Sequence, residues 1–114
     1  MFPNIKCCCC CRQGVNANEY FYVEVKNETT HYLNFILSYY YFSDKETVKP
    51  SPPFGPGKSE RMAFPGGVED LILNVYDSYF NPPYLICFGG PPNKAISRYK
   101  VVQHSLDDFE CIKY

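Results

Sequence analysis

The sequence predicts an all-β protein: a single antiparallel β-sandwich of about six to seven strands behind an irregular, Cys-rich N-terminal arm. Aromatic residues make up 18% of the chain, as eleven Tyr and nine Phe with no Trp, whereas Ala occurs only at positions 17, 63 and 95. Rings fit a pleated, half-buried surface and lose rotamer freedom in a helix. Short runs alternate apolar and polar residues, and clusters of Pro, Gly and Asn separate them roughly every dozen residues, the spacing of a small sandwich. A helical bundle is excluded.

At 114 residues the chain has the length of one domain. Residues 1–19 lack any period and form the arm; residues 20–114 form the sandwich. In YFYVEVK (20–26), Phe21, Val23 and Val25 share one face, opposite Tyr20, Tyr22, Glu24 and Lys26. That is a half-buried strand, closed by a turn at Asn27-Glu28-Thr29. HYLNFILSYYYF (31–42) fits both helical and strand spacing, and its consecutive Tyr residues favour the strand.

Residues 43–57 carry Pro at 50, 52, 53 and 56. Proline has no amide hydrogen for a central ladder, so this segment reads as an ordered crossing loop or an edge. KSERMAF (58–64) alternates again, as does EDLILNVYD (69–77) with Leu71, Leu73 and Val75 on one face. PYLICFG (83–89) is almost wholly apolar and reads as a central strand covered on both faces. AISRYKVVQH (95–104) sets Ala95, Ser97, Tyr99 and Val101 on one face, and FECIKY (109–114) closes a sheet edge. Val23, Val25, Phe35, Leu71, Leu73, Ile86 and Phe88 are therefore the expected core.

Charge and motifs narrow the function. Eleven basic against twelve acidic residues leave no basic excess for an electrostatic nucleic-acid binder. No apolar run approaches the roughly 20 residues of a membrane-spanning helix. No P-loop, Rossmann glycine pattern, G-x-S-x-G or H-E-x-x-H is present. His104 with Cys87 or Cys111 is the nearest approach to a nucleophile and base, but a Cys in an apolar run is usually packing. The acidic pairs Glu69-Asp70 and Asp107-Asp108 read as solvated strand edges. The expectation is a protein that is not an enzyme and uses no cofactor or metal.

Cys7, Cys8, Cys9, Cys10 and Cys11 stand in one run, with only Cys87 and Cys111 elsewhere. Neighbouring side chains alternate sides in an extended segment, which does not suit one zinc ion, and bridges would need partners that only Cys87 and Cys111 offer in an odd total of seven. Two readings remain, a tail whose cysteines have no specific role and S-acylation, which fits physically: several acyl chains anchor a protein stably where one is marginal, and Lys6 and Arg12 flank the run. The start of the chain shows no secretory apolar region, which favours a cytoplasmic or peripheral membrane location. Asn27-Glu28-Thr29 is a glycosylation sequon, discounted on the same ground.

Tyr76, Tyr79, Phe80 and Tyr84 bracket Asn81-Pro82-Pro83. Rings held on a stiff turn lose little entropy on binding, and Tyr pairs an apolar ring with a polar tip suited to lipid interfaces. These four residues are the candidate site for a membrane lipid or a membrane-associated protein. The alternative is a structural or self-assembling protein that forms homo-oligomers through aromatic faces and edge strands.

VEVKNETTHYL, the Pro-rich crossing, PGKSERMAF, Gly67-Val68 and LILNVYDSYF together resemble the first half of actinoporin-like cytolysins. Aegerolysins have a similar start, V-x-V-x-N-x-[ST], and the same general sandwich. The resemblance covers roughly residues 21–90, with Val23, Val25, Asn27, Thr29, Pro56, Gly57, Gly67 and Val68 at framework positions. It implies a sandwich that reads choline head groups through clustered rings. The nearest equivalent of the family's Ser-x-Pro-Tyr-Asp-Tyr segment keeps Tyr76 and Asp77 but has neither the Ser nor the Pro. Residues 1–19 show no amphipathic helical period, and the family's second half is missing. The resemblance therefore implies lipid binding without pore formation.

Overall fold

The structure, a computed structural model, describes residues 20–114, so the cysteine run at 7–11 lies outside the described residues. Eight strands form: β1 (Tyr20–Glu28), β2 (Leu33–Tyr40), β3 (Glu46–Pro50), β4 (Ser59–Pro65), β5 (Glu69–Asp77), β6 (Tyr84–Gly89), β7 (Ser97–Ser105) and β8 (Asp108–Lys113). They make two four-stranded sheets, ordered β4-β1-β7-β8 and β3-β2-β5-β6. The expected all-β sandwich is present.

Alternation builds the core. Val23 and Val25 of β1, Phe35 and Leu37 of β2, Leu71, Leu73 and Val75 of β5, and Val101 of β7 are buried between the sheets. A fully covered residue of this kind contributes about 1.5–3 kcal/mol through its lost apolar surface. Within residues 31–42 the segment Leu33–Tyr40 is strand, because Leu33, Phe35, Leu37 and Tyr39 bury on one face at period two. Burial also pushes the Tyr39 phenol above its ordinary range, with the nearby Tyr20 adding to the effect.

Three expectations change. β1 and β7 pair in parallel, from Val23↔Ser97 to Glu28↔Val102, while the other pairings are antiparallel. Parallel neighbours need a long crossover, and here strands β2 to β6 intervene before β7 returns beside β1. The strand count is eight rather than six to seven, because the Pro-rich segment takes the edge alternative and contains β3, at the edge of its sheet with Pro50 as its last residue. Its next residues are pinned to β2 by mutual Leu33–Phe54 backbone hydrogen bonds of 3.0 and 2.8 Å.

The third change concerns β6, which is an edge strand rather than a central one. Phe88 is 74% exposed, and Ile86 and Cys87 are only partly buried against the core. Phe88 stands opposite Asn74 on the outer face, whereas Leu73 of β5 points inward and is buried. Apolar residues occupy both faces of β6, although only the inward face meets the core. Cys87, read as packing, is instead bonded to Cys111 across the sheets.

Asn27 explains why the sequon is framework. Its amide nitrogen donates to the carbonyls of His31 (2.7 Å) and Phe54 (3.0 Å). Its side-chain oxygen accepts from the Thr29 amide (2.9 Å) and hydroxyl (2.7 Å). The residue is fully buried, so all of its hydrogen-bonding capacity goes to tying the crossing segment to the turn after β1. Gly57, whose amide donates to the Asn27 carbonyl, has φ 79°, a conformation that glycine adopts without steric cost.

Candidate aromatic site

The inward face of β5 runs Leu71, Leu73, Val75 and then Asp77, a carboxylate placed where the alternation demands an apolar side chain. Asp77 is 0% exposed. His31 Nδ1 donates to its Oδ2 at 2.7 Å, and the Tyr79 amide donates to its Oδ1 at 2.9 Å. Both carboxylate oxygens are therefore satisfied, as burial requires. The Leu33↔Asp77 register brings the two residues together, since His31 ends the turn that leads into β2.

Around His31 the rings form a closed chain. Tyr79 stacks on it with centroids 4.2 Å apart and planes 10° from parallel. Phe80 meets both His31 (6.0 Å) and Tyr79 (5.2 Å) edge-on. Tyr84 follows at 5.7 Å from Phe80, and Phe109 of β8 closes the circuit, 6.4 Å from Tyr84 and 6.1 Å from His31. Such edge-to-face and offset contacts each contribute about 0.5–1.5 kcal/mol beyond burial. Tyr79 is 63% exposed although its ring rests on a buried imidazole. The result is an aromatic surface with a rigid polar anchor beneath it.

Three of the four expected residues, Tyr79, Phe80 and Tyr84, come together here. Tyr76 does not. It lies on the outer face of its sheet, where it lines a cleft of about 170 Å³ with Asn34, Ile36 and Pro83. His31 and Phe109 are additional members. The opposite end of the sandwich carries a second exposed pair, Tyr41 and Phe42, with centroids 4.7 Å apart. Phe42 has φ 51°, a backbone cost of about 1–3 kcal/mol for a bulky residue.

The two histidines have different partners. Among the described residues the His31 ring hydrogen-bonds Asp77 and no hydroxyl or thiol. His104 pairs with Glu110 at 3.0 Å on the surface, and Cys87 and Cys111 are joined to each other. Glu69, Asp70, Asp107 and Asp108 are exposed, as expected of strand edges.

No family model matches the sequence, and no curated protein matches it. Solved structures do match. Pneumolysin superposes with a TM-score of 0.59 at 8% identity, covering 83% of this chain and 23% of its own. The cytotoxin suilysin from Streptococcus suis gives 0.57 at 11% identity, over 83% and 23% respectively. The membrane-binding domain of pneumolysin, taken alone, gives 0.55 at 9% identity over 82% of this chain and 96% of that domain.

The fold resembles a toxin membrane-binding domain.

The chain spans about a quarter of the whole toxins, at 23–24% of their length, and nearly all of the isolated domain. At these identities the likeness is one of fold, and the matched structures bear names outside the actinoporin-like family. What carries over is a β-sandwich built like a membrane-binding toxin domain.

Proposed function

We propose that residues 20–114 form a non-catalytic membrane-binding module that engages lipid through Tyr79, Phe80 and Tyr84. The observation that carries this reading is the exposed Tyr79 ring stacked on the buried His31–Asp77 pair. Its fold, shared with a membrane-binding domain, supports it. Pre-positioned rings bind with little loss of entropy, and a choline head group over such rings gains about 0.5–2 kcal/mol per contact. The module does not form pores by itself, and it binds as a peripheral domain. The Cys87–Cys111 bridge favours an oxidising compartment over the cytoplasm.

Flotation with phosphatidylcholine vesicles tests this. The pair Tyr79→Ala, Phe80→Ala is expected to weaken binding about tenfold, from two ring contacts, while far-ultraviolet dichroism stays that of the parent. Phe42→Ser, at the other end, is expected to bind as the parent does. Unchanged binding by the double variant, or a loss confined to Phe42→Ser, refutes the site. Dye release from the same vesicles at saturating protein refutes the absence of pore formation.

A second reading has its own observation. Val48, Ile72, Leu85 and Phe88 are all exposed hydrophobic side chains on the outer face of the β3-β2-β5-β6 sheet. Contiguous apolar surface of that kind marks association sites. The outer face of the other sheet instead satisfies its own charges, as in Arg61 with Glu24 at 3.1 Å and over the Tyr22 ring at 4.1 Å. If copies pair through the apolar face, sedimentation gives a dimer mass that Ile72→Lys with Phe88→Lys reduces to a monomer. A monomer mass for the parent at all concentrations removes this reading.

A further inference from the structure

Beyond the aromatic end lies an apolar slot between the sheet edges formed by β6 and β8. Its volume is about 280 Å³. Leu73 and Tyr99 line it with the Cys87–Cys111 bridge, Phe88 stands at its rim, and Lys113 lies at its mouth. The slot has a structural cause. The bridge, with its Cα atoms 6.5 Å apart, supplies one wall. Two residues past Cys87, Gly89 takes the inward position opposite Leu73. A Cβ there would meet nothing within 4 Å. A side chain is missing where the alternation calls for one, and the gap opens to solvent.

We infer that this slot binds the alkyl chain of a medium-length fatty acid, with its carboxylate at Lys113. The walls are apolar, which excludes a sugar or a nucleotide. The single cation at the mouth forms no ion pair among the described residues, which selects a monoanionic head. Volume sets the chain length. At about 30 Å³ for a water-sized group, the slot holds on the order of nine methylene-sized groups, close to a ten-carbon acid. Disulfide, leucine side chain and the carbon face of the tyrosine ring all tolerate an extended chain because none of these surfaces needs a hydrogen bond. The ring cluster around His31 takes no part, so this site is separate from the proposed lipid surface.

Calorimetric titration of the full chain with octanoate, decanoate and tetradecanoate tests the inference. Each methylene that enters the slot strengthens binding about fourfold, so decanoate is expected to bind about fifteen-fold tighter than octanoate. Tetradecanoate is expected to gain little more, because its extra carbons stay in water. Decyltrimethylammonium, with the same chain and the opposite charge, binds more weakly. Lys113→Ala lowers decanoate affinity about threefold, the scale of an exposed ion pair.

The decisive variant is Gly89→Leu. Gly89 has no left-handed backbone to strain, so the new side chain fills the slot, abolishing decanoate binding while the melting temperature holds or rises. Should Gly89→Leu fail to fold, Gly89→Ala removes about one methylene of space and weakens binding about fourfold. The pair Tyr79→Ala, Phe80→Ala binds decanoate as the parent does, which keeps this site's failure distinct from failure of the vesicle site. Parental decanoate affinity in a folded Gly89→Leu or Gly89→Ala protein overturns the inference. So does affinity that climbs steadily with chain length regardless of head-group charge.

Discussion

Replacing Cys87 and Cys111 together by Ser is expected to lower the free energy of unfolding by about 3–4 kcal/mol. The bridge closes a loop of 24 residues in sequence separation, and the closure entropy removed from the unfolded chain has that size. Position adds to it. β6 and β8 are the outermost strands of their sheets on the same side of the sandwich, and the bridge is the covalent tie between those two edges. Without it Ile86 and Phe109, which pack only partly against the core, lose their restraint. Urea denaturation measures the effect, and for a domain of this size the melting temperature falls by roughly 15 °C or more. Parent protein treated with reductant is expected to fall to the stability of the double-Ser variant. A difference below about 1 kcal/mol between the oxidised parent and the variant would show that the bridge constrains little.

Why this tie was hidden is instructive. Seven cysteines, five of them consecutive, offer no reason to pair the remaining two, and Cys87 sits in a run apolar enough to pass for core. The pairing depends on which strands end at the same side of the sandwich. That is tertiary information. The same is true of the parallel β1–β7 ladder, whose partners are more than seventy residues apart, as in Val23 with Ser97. By contrast β1, β5 and β7 were legible residue by residue, because one covered face imposes a period of two on its own segment. β6 misled because apolar composition normally reports burial, and here Leu85 and Phe88 face outward and are exposed.

The candidate site divides in the same way. Tyr79, Phe80 and Tyr84 lie within six residues of one another around a proline turn, so their convergence is local and readable. Phe109 joins them only through the placement of β8. His31 joins through the register that sets Leu33 against Asp77. One signal was available: the series Leu71, Leu73, Val75 puts Asp77 at the next inward position, and a carboxylate there demands a buried partner. Of the chain's two histidines, His31 lies near the start of the neighbouring strand. Tyr76 fails for the same parity, since it alternates to the outer face.

His31→Ala is expected to cost about 3 kcal/mol or more, and to do so at the candidate site itself. Removing the ring leaves Asp77, with no exposure to water, holding only the Tyr79 amide. Stripping one partner from a buried pair typically costs about 3–5 kcal/mol when a charged group, here the Asp77 carboxylate, is left uncompensated. The stacking of Tyr79 and the edge contacts of Phe80 and Phe109 are lost as well. Asp77→Ala is expected to cost a similar amount. The double variant His31→Ala, Asp77→Ala should then cost clearly less than the sum, since neither group remains to be stranded. Asp77→Asn keeps an acceptor for the Tyr79 amide and should fall between the parent and Asp77→Ala. With no Trp in the chain, near-ultraviolet dichroism reports the Tyr and Phe rings, and its loss in His31→Ala would follow the loosening of Tyr79. Vesicle binding should weaken with it even at temperatures where the sandwich stays folded, because the rings are no longer held in advance. Strict additivity in the double variant would mean that His31 and Asp77 act independently. The rigid anchor beneath the aromatic surface would then have to be abandoned.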